Sequence, residues 1–413
     1  MAVNWKNLKR FKPDIVLARI AAIRTRSPDG KGSSFSGWEL DQSMPLLHSM
    51  IEFPPIARDM DHATLIWKAV AFDPDELSRQ SFMKELNRQL DIELAQRQEV
   101  FHVLTSVSIN SRIQLGTVTI GGVQIRFCGK EFPRKFPQHR STSIQEARLP
   151  VVESPSSYQK LIATVTAKKP ALALTAAIRA VDIHRAVWCL FSNAEMEMIG
   201  KSWNPINAVR LGAIHTVHSQ DGHSAHGTVW FEPHHIQSTP YEHRDIEAIK
   251  KQVLGTLRRL RQCPYRDDIA DALLLYVRAL DESNQSTAFT RLWSAVERLA
   301  SPGYGDYDAI VRRCAFLWRD NAFATQALEH FREYRNAYAH GGSESTEAKT
   351  YCFQLQQYFR PLLFFHITNA RRFQTLAEAN EFLDMPTNMG VLEKLKQRVA
   401  RAISFQTPRP KTT

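Results

Sequence analysis

Three side chains near the end of the stretch FREYRNAYAHGG (331–342) have the types and spacing for proton transfer beside a phosphate. His340 offers an imidazole, the side chain that exchanges its proton closest to neutral pH. Arg335 offers a planar guanidinium, whose paired N–H groups match two oxygens of a phosphate. Asn336 lies four residues before His340, so on a helix the two share a face with Cβ atoms roughly 5–6 Å apart. Its amide is placed to orient the imidazole or the phosphate. Glu329 and Glu333 extend this polar line backwards, while Ala327, Phe331, Tyr334 and Tyr338 form a stripe expected to be buried. Arg335 falls on the border between the two, with Arg332 on the same side of the helix.

Arginine followed five positions later by histidine carries little information alone, since the chain contains it five times: 97–102, 134–139, 179–184, 210–215 and 335–340. Of these, 335–340 ends a helix-patterned stretch and runs directly into a stop signal, Gly341-Gly342. Spacing alone favours the plainer reading of a helix C-terminus, where His340 complements the dipole and Arg335 pairs with an acid.

Other constellations are weaker. Seven of the fifteen histidines fall between His215 and His243, but they lie on the arms of an expected hairpin with no carboxylate or cysteine at ligand spacing. They read as a solvated hairpin, and no metal or other cofactor is expected. Walker, GxGxxG, GxSxG and paired-acid signatures are absent. The five cysteines (Cys128, Cys189, Cys263, Cys314 and Cys352) never show CxxC spacing, which implies reduced thiols in a cytoplasmic protein. No signal peptide and no membrane span is expected.

The elements that must position these residues divide the chain. Alternating runs at 101–109 and 117–128, the latter with Gly121-Gly122 as a bend or bulge, read as half-buried strands, and 158–167 as another. A 3.6-residue stripe marks a helix at 170–191, and 209–219 with 226–232 reads as a hairpin around Asp221-Gly222. The expected arrangement is an α+β N-terminal domain over 1–235 and a linker at 236–245, where Pro, Ser, Thr and charges break the pattern. An all-α helical bundle follows over 246–372, with helices at 245–262, 267–282, 286–300, 306–319, 323–340 and 346–370. Short helices at 375–384 and 389–404 and a basic tail complete 373–413. The net charge of +11 is concentrated in 130–140, 257–262 and 394–411. Such a surface attracts polyanions, nucleic acid most simply, and serves solubility equally well.

The motif YRNAYAHGG, preceded by the helix AFTRLWSAVERLAS (288–301), resembles the HEPN superfamily, in its ApeA-like branch, over roughly 245–370. That resemblance implies a HEPN-type bundle working as a homodimer, with two motif helices facing one cleft. It implies a metal-independent RNA endonuclease acting by 2′-hydroxyl transesterification on transfer RNA or messenger RNA. Arg335 and His340 become the expected catalytic residues, with Asn336 in support. Arg332 is placed to hold RNA, and Glu297 is either an anchor for Arg335 or a rim charge. The family setting is anti-phage defence or toxin-like growth arrest, with the N-terminal half as sensor, inhibitor or docking surface for a defence partner protein. The rival reading is a non-catalytic HEPN module that binds nucleic acid or dimerises within a defence complex.

Overall fold

The computed structural model describes residues 2–26, 33–57, 60–72, 77–193, 204–225, 229–303 and 306–406. They divide into two compact units, Met1–Val100 with Thr166–Ala173, and Phe101–Val165 with Leu174–Thr413.

The first unit is mostly helical. In chain order it holds β1 (Asn4–Trp5), α1 (Pro13–Ala22), β2 (Arg24–Arg26), β3 (Ser33–Phe35), α2 (Trp38–Ser49), β4 (Ile51–Glu52), α3 (His62–Phe72) and α4 (Arg79–Ala95). The strands form only two short antiparallel ribbons, β1–β4 and β2–β3. Val16, Leu17, Ile20, Leu47, Ile66, Phe82 and Leu86 fill its core. Pro13 opens α1, where a missing N–H costs nothing, and Ser78 and Ser81 close a reciprocal capping box at the start of α4.

The second unit begins with a sheet ordered β10-β9-β5-β8-β7-β6. Its strands are β5 (Glu99–Asn110), β6 (Thr117–Ile120), β7 (Val123–Gly129), β8 (Tyr158–Ala167), β9 (Ile214–His218) and β10 (Trp230–Phe231), with α5 (Pro137–Ala147) and α6 (Pro170–Ser192) interleaved. The expected single strand at 117–128 is a tight hairpin instead. Gly121 and Gly122 both take positive φ (56° and 83°), which reverses the chain so that Ile120 pairs with Val123. The expected hairpin around Asp221-Gly222 pairs Trp230 with His215 and Phe231 with Ile214. Residues 226–228 of its second arm lie outside the described residues.

Helices follow almost without interruption: α7 (Ile246–Gln262), α8 (Arg266–Ala279), α9 (Gln285–Ala300), α10 (Tyr307–Phe316), α11 (Asn321–Gly341), α12 (Ala348–Thr368), α13 (Leu376–Leu383) and α14 (Met389–Gln406). A region of strands and helices followed by a run of helices is therefore observed. In the bundle α9 is central, packed on α8, α10, α11 and α12, with Phe289, Leu292, Trp293, Val296 and Leu299 fully buried.

The compact division falls near residue 100, not at the expected linker 236–245. A buried ionic network explains why the sheet and the bundle stay together. Arg185 on α6 is completely buried and donates to Asp182 (2.7 Å) and, through both Nη atoms, to Asp281 (2.9 and 2.6 Å) just past α8. Arg278 on α8 donates to Asp182 (2.6 Å) and Glu232 (3.0 Å), and Asn207 donates to Val277 O (2.6 Å). Buried charges need partners at hydrogen-bond distance, so either half alone leaves some of these groups unpaired.

Candidate functional site

The motif helix α11 is fixed at both ends. Asp320 caps its start by accepting from Phe323 N (3.0 Å). Gly342 ends it in the left-handed region (φ 64°), its N–H bonded to Tyr338 O at 2.9 Å. The expected helix 323–340 thus extends to Asn321–Gly341. Its buried line is Ala324, Leu328 and Phe331, with Ala327 only half-buried at the edge. Phe331 and Tyr334 both meet the ring of Phe289 (centroids 5.8 and 5.0 Å). Two hydroxyl contacts then clamp the helix to the first turn of α9: Tyr334 Oη donates to Ser286 Oγ (2.8 Å), and Tyr338 Oη lies 3.0 Å from Thr287 Oγ1. Tyr338, expected in the buried stripe, is half-buried and held by its polar tip.

Arg335 turns inward from α11. Its Nη1 donates to Asn336 Oδ1 (3.1 Å), and its Nη2 stands 3.8 Å from Glu297 Oε1 on α9. The guanidinium carbon lies 5.1 Å from the centre of the Tyr307 ring at the start of α10. Arg335 Nε is buried and has no hydrogen-bond partner among the described residues. Glu297 also accepts from Trp293 Nε1 (2.9 Å). Burial raises the Glu297 carboxyl above its ordinary value, against the opposing pull of Arg335 and the Trp293 bond. The Arg335–Glu297 contact is therefore a loose one, longer than the 2.6–2.9 Å bonds of the Arg185 network.

His340 is exposed on the last turn of α11 and has no hydrogen-bond or ion-pair partner among the described residues. Asn336 is half-buried one turn earlier on the same face. Arg335 and His340 are five positions apart, which turns them about 140° from one another around the helix axis. Arg335 faces α9 and α10 while His340 faces solvent, so Asn336 is the bridge between them.

Arg332 is already engaged. It pairs with Asp308 (2.7 Å) on α10 and with Glu329 (3.2 Å) one turn back, which ties α11 to α10. Glu297, expected as either anchor or rim charge, stands next to Arg335 on a half-buried wall. Tyr307 and the Ser286–Thr287 pair escaped the sequence reading. The two hydroxyl contacts span 48 and 51 residues, and nothing local in the sequence marks them.

The histidines of 215–243 are solvated only in part: His223, His234 and His243 are exposed, and His226 lies outside the described residues. His215 and His218 are buried because β9 is an interior strand. His215 Nδ1 lies 2.7 Å from Thr105 Oγ1, and His218 contacts Gly222 O (3.0 Å) and Thr216 Oγ1 (2.9 Å). The basic run 130–140 also loses a surface charge: Arg140 is buried, bonded to Glu153 (2.7 Å), Thr216 Oγ1 (2.7 Å) and two backbone carbonyls. The exposed cations of 257–262 are Arg258, Arg259 and Arg261.

Compared with known proteins, the chain matches no family model, no curated protein and no solved structure.

Proposed function

We propose that this chain is a HEPN-type endoribonuclease that cleaves RNA through the RNA's own 2′-hydroxyl. The observation that carries the reading is the end of α11: an arginine hydrogen-bonded to its neighbouring asparagine, with an exposed histidine one turn on that has no partner among the described residues. In this mechanism His340 takes the 2′-hydroxyl proton as the oxygen attacks phosphorus. Arg335 swings from its loose contact with Glu297 to neutralise the pentavalent phosphorane. The 5′-oxygen leaves with a proton from a second acid, and a 2′,3′-cyclic phosphate remains.

One motif supplies a single imidazole, that of His340, and aims its arginine away from it. A homodimer that places two α11 ends across one cleft supplies both the base and the acid, so pairing belongs to the chemistry. Transfer RNA or messenger RNA is the proposed substrate, in a cytoplasmic defence or growth-arrest role, with the N-terminal part restraining the enzyme or docking a defence partner.

The inward turn of Arg335 onto Glu297 and Tyr307 favours a second reading, a non-catalytic module in which the arginine is structural. One experiment separates them. Purified wild-type protein incubated with RNA in EDTA is expected to yield fragments ending in 2′,3′-cyclic phosphate. His340→Ala is expected to lose about 10²-fold or more of that activity, the contribution of a general base, with unchanged thermal unfolding. Cleavage by His340→Ala at the wild-type rate would remove the proposed base. Intact RNA with both proteins, together with RNA binding, would support the module.

A further inference from the structure

The C-terminal helix α14 (MGVLEKLKQRVARAISFQ) contains no buried residue. It is as amphipathic as helices that are packed. At 3.6 residues per turn, Val391, Leu392, Leu395, Val399 and Ala402 fall within an arc of about 100°. In α7 the equivalent stripe, Ile249, Val253, Thr256 and Leu260, is buried in the bundle. In α14 the stripe is open to solvent in part: Val391 is 48 % and Val399 51 % exposed, Leu392 and Leu395 are half-buried, and Phe405 near the helix end is 89 % exposed.

The charges around this stripe decide what can cover it. Lys396 flanks one border and Arg398 the other, with Lys394 and Arg401 behind Arg398, against Glu393 as the one acid of the helix. A second copy of α14 would bring the same cations together with too few acids to neutralise them, and like charges along a helix seam disfavour pairing. RNA would match the cations but leave the aliphatic stripe in water. A surface that combines anionic groups with an apolar layer satisfies both faces at once, with lysine and arginine stems reaching outward from the border. No helix among the described residues is long and apolar enough to cross a membrane, so α14 would lie in the surface, along about 27 Å of its length.

We infer that α14 is a docking helix for an anionic lipid bilayer, seated with Leu392, Leu395 and Val399 in the acyl boundary and Lys394, Lys396, Arg398 and Arg401 among the headgroups. This stands independently of the cleavage reading.

Flotation of the full-length protein with vesicles tests it. Wild type is expected to float with phosphatidylcholine vesicles containing phosphatidylglycerol, to stay behind with phosphatidylcholine alone, and to be released by high salt. Leu395→Asp/Val399→Asp is expected to lose about tenfold or more of the bound fraction, as is the variant with Lys394, Lys396, Arg398 and Arg401 changed to Glu. No residue of α14 is fully buried, and Leu395 is half-buried, so a melting temperature equal to wild type is the control by which a loss reports docking and not unfolding. Three results would overturn the inference. One is a wild type that ignores anionic vesicles at low salt. Another is undiminished flotation of the aspartate variant, which would show charge attraction without seating. The third is a wild-type dimer in solution that the aspartate variant converts to monomer without any lipid effect, which would assign the face to a second copy.

Discussion

Arg335 and Lys would carry the same charge, yet only arginine can keep the three contacts that place it: the Asn336 carbonyl, the Glu297 carboxylate and the Tyr307 ring. The planar fork stacks on the ring while presenting two parallel N–H groups, a geometry an ammonium lacks. Arg335→Lys is therefore expected to lower RNA cleavage by about 10²–10³-fold, the scale of removing one preorganised donor from a developing charge. Near-wild-type cleavage by this variant would reduce Arg335 to a diffuse positive charge. The residue types and the Asn336–His340 spacing were readable from the sequence, because both follow from helical period alone. Glu297 was readable as one of two alternatives, an anchor for Arg335 or a rim charge. Tyr307 was not: it meets the guanidinium from α10, 5.1 Å away, and only packing brings the two together.

At the scale of elements, α11 is a helix held along its length whose last turn carries the exposed histidine. Its first turn is held by Asp320, its middle by Phe289, and its last turns by the Ser286 and Thr287 hydroxyl contacts. Gly342 then lets the chain leave in a left-handed conformation with open space around its missing Cβ. A side chain there would meet no neighbour, so any cost comes from φ itself. Gly342→Ala is expected to destabilise the protein by about 1 kcal/mol and Gly342→Asn by less, measured by chemical denaturation. Equal effects of the two would mean that the helix end has relaxed into another conformation. Helices of the bundle were legible because their stripes are apolar and because Asp or Asn caps α7, α9, α10 and α11. The first unit was less so: α2 contains Pro45, and α4 buries Glu85, Gln89 and Glu93, which interrupts the apolar period that betrays a helix.

At the scale of the molecule, composition marked a boundary at 236–245, but the chain is cut by contacts, and contacts follow charge pairs that composition does not reveal. Asp281 receives both Nη atoms of the fully buried Arg185, and Asp182 joins Arg185 to Arg278. A fragment starting at residue 246 would keep Asp281 and Arg278 but lose Arg185, Asp182 and Glu232. Water would hydrate the freed Asp281 and Arg278, but the fragment would also lose the bonds that Asn193 and Asn207 make to Tyr276, Gln356 and Val277 O, uncovering groups that are buried in the intact chain. The isolated bundle is expected to be unfolded or aggregated by circular dichroism and gel filtration; a folded monomeric fragment would make the network dispensable and restore the boundary. The same sheet and bundle set the response to acid. Burial pushes His184 down to about 3, and burial likewise lowers His218 and His366 to about 4. Unfolded, all three bind a proton near 6.5, so between those values the unfolded chain holds more protons than the folded one. Stability from these residues is complete above pH 6.5 and is lost as pH falls toward 4. The steepest slope is about 4 kcal/mol per pH unit if all three titrate together. Urea midpoints should stay level from pH 8 to about 6.5 and drop steeply below it. Replacing His366 with Phe, which cannot bind the proton, should flatten the acid limb by about 1.4 kcal/mol per pH unit, while an unchanged limb would mean that His366 is already protonated in its buried site.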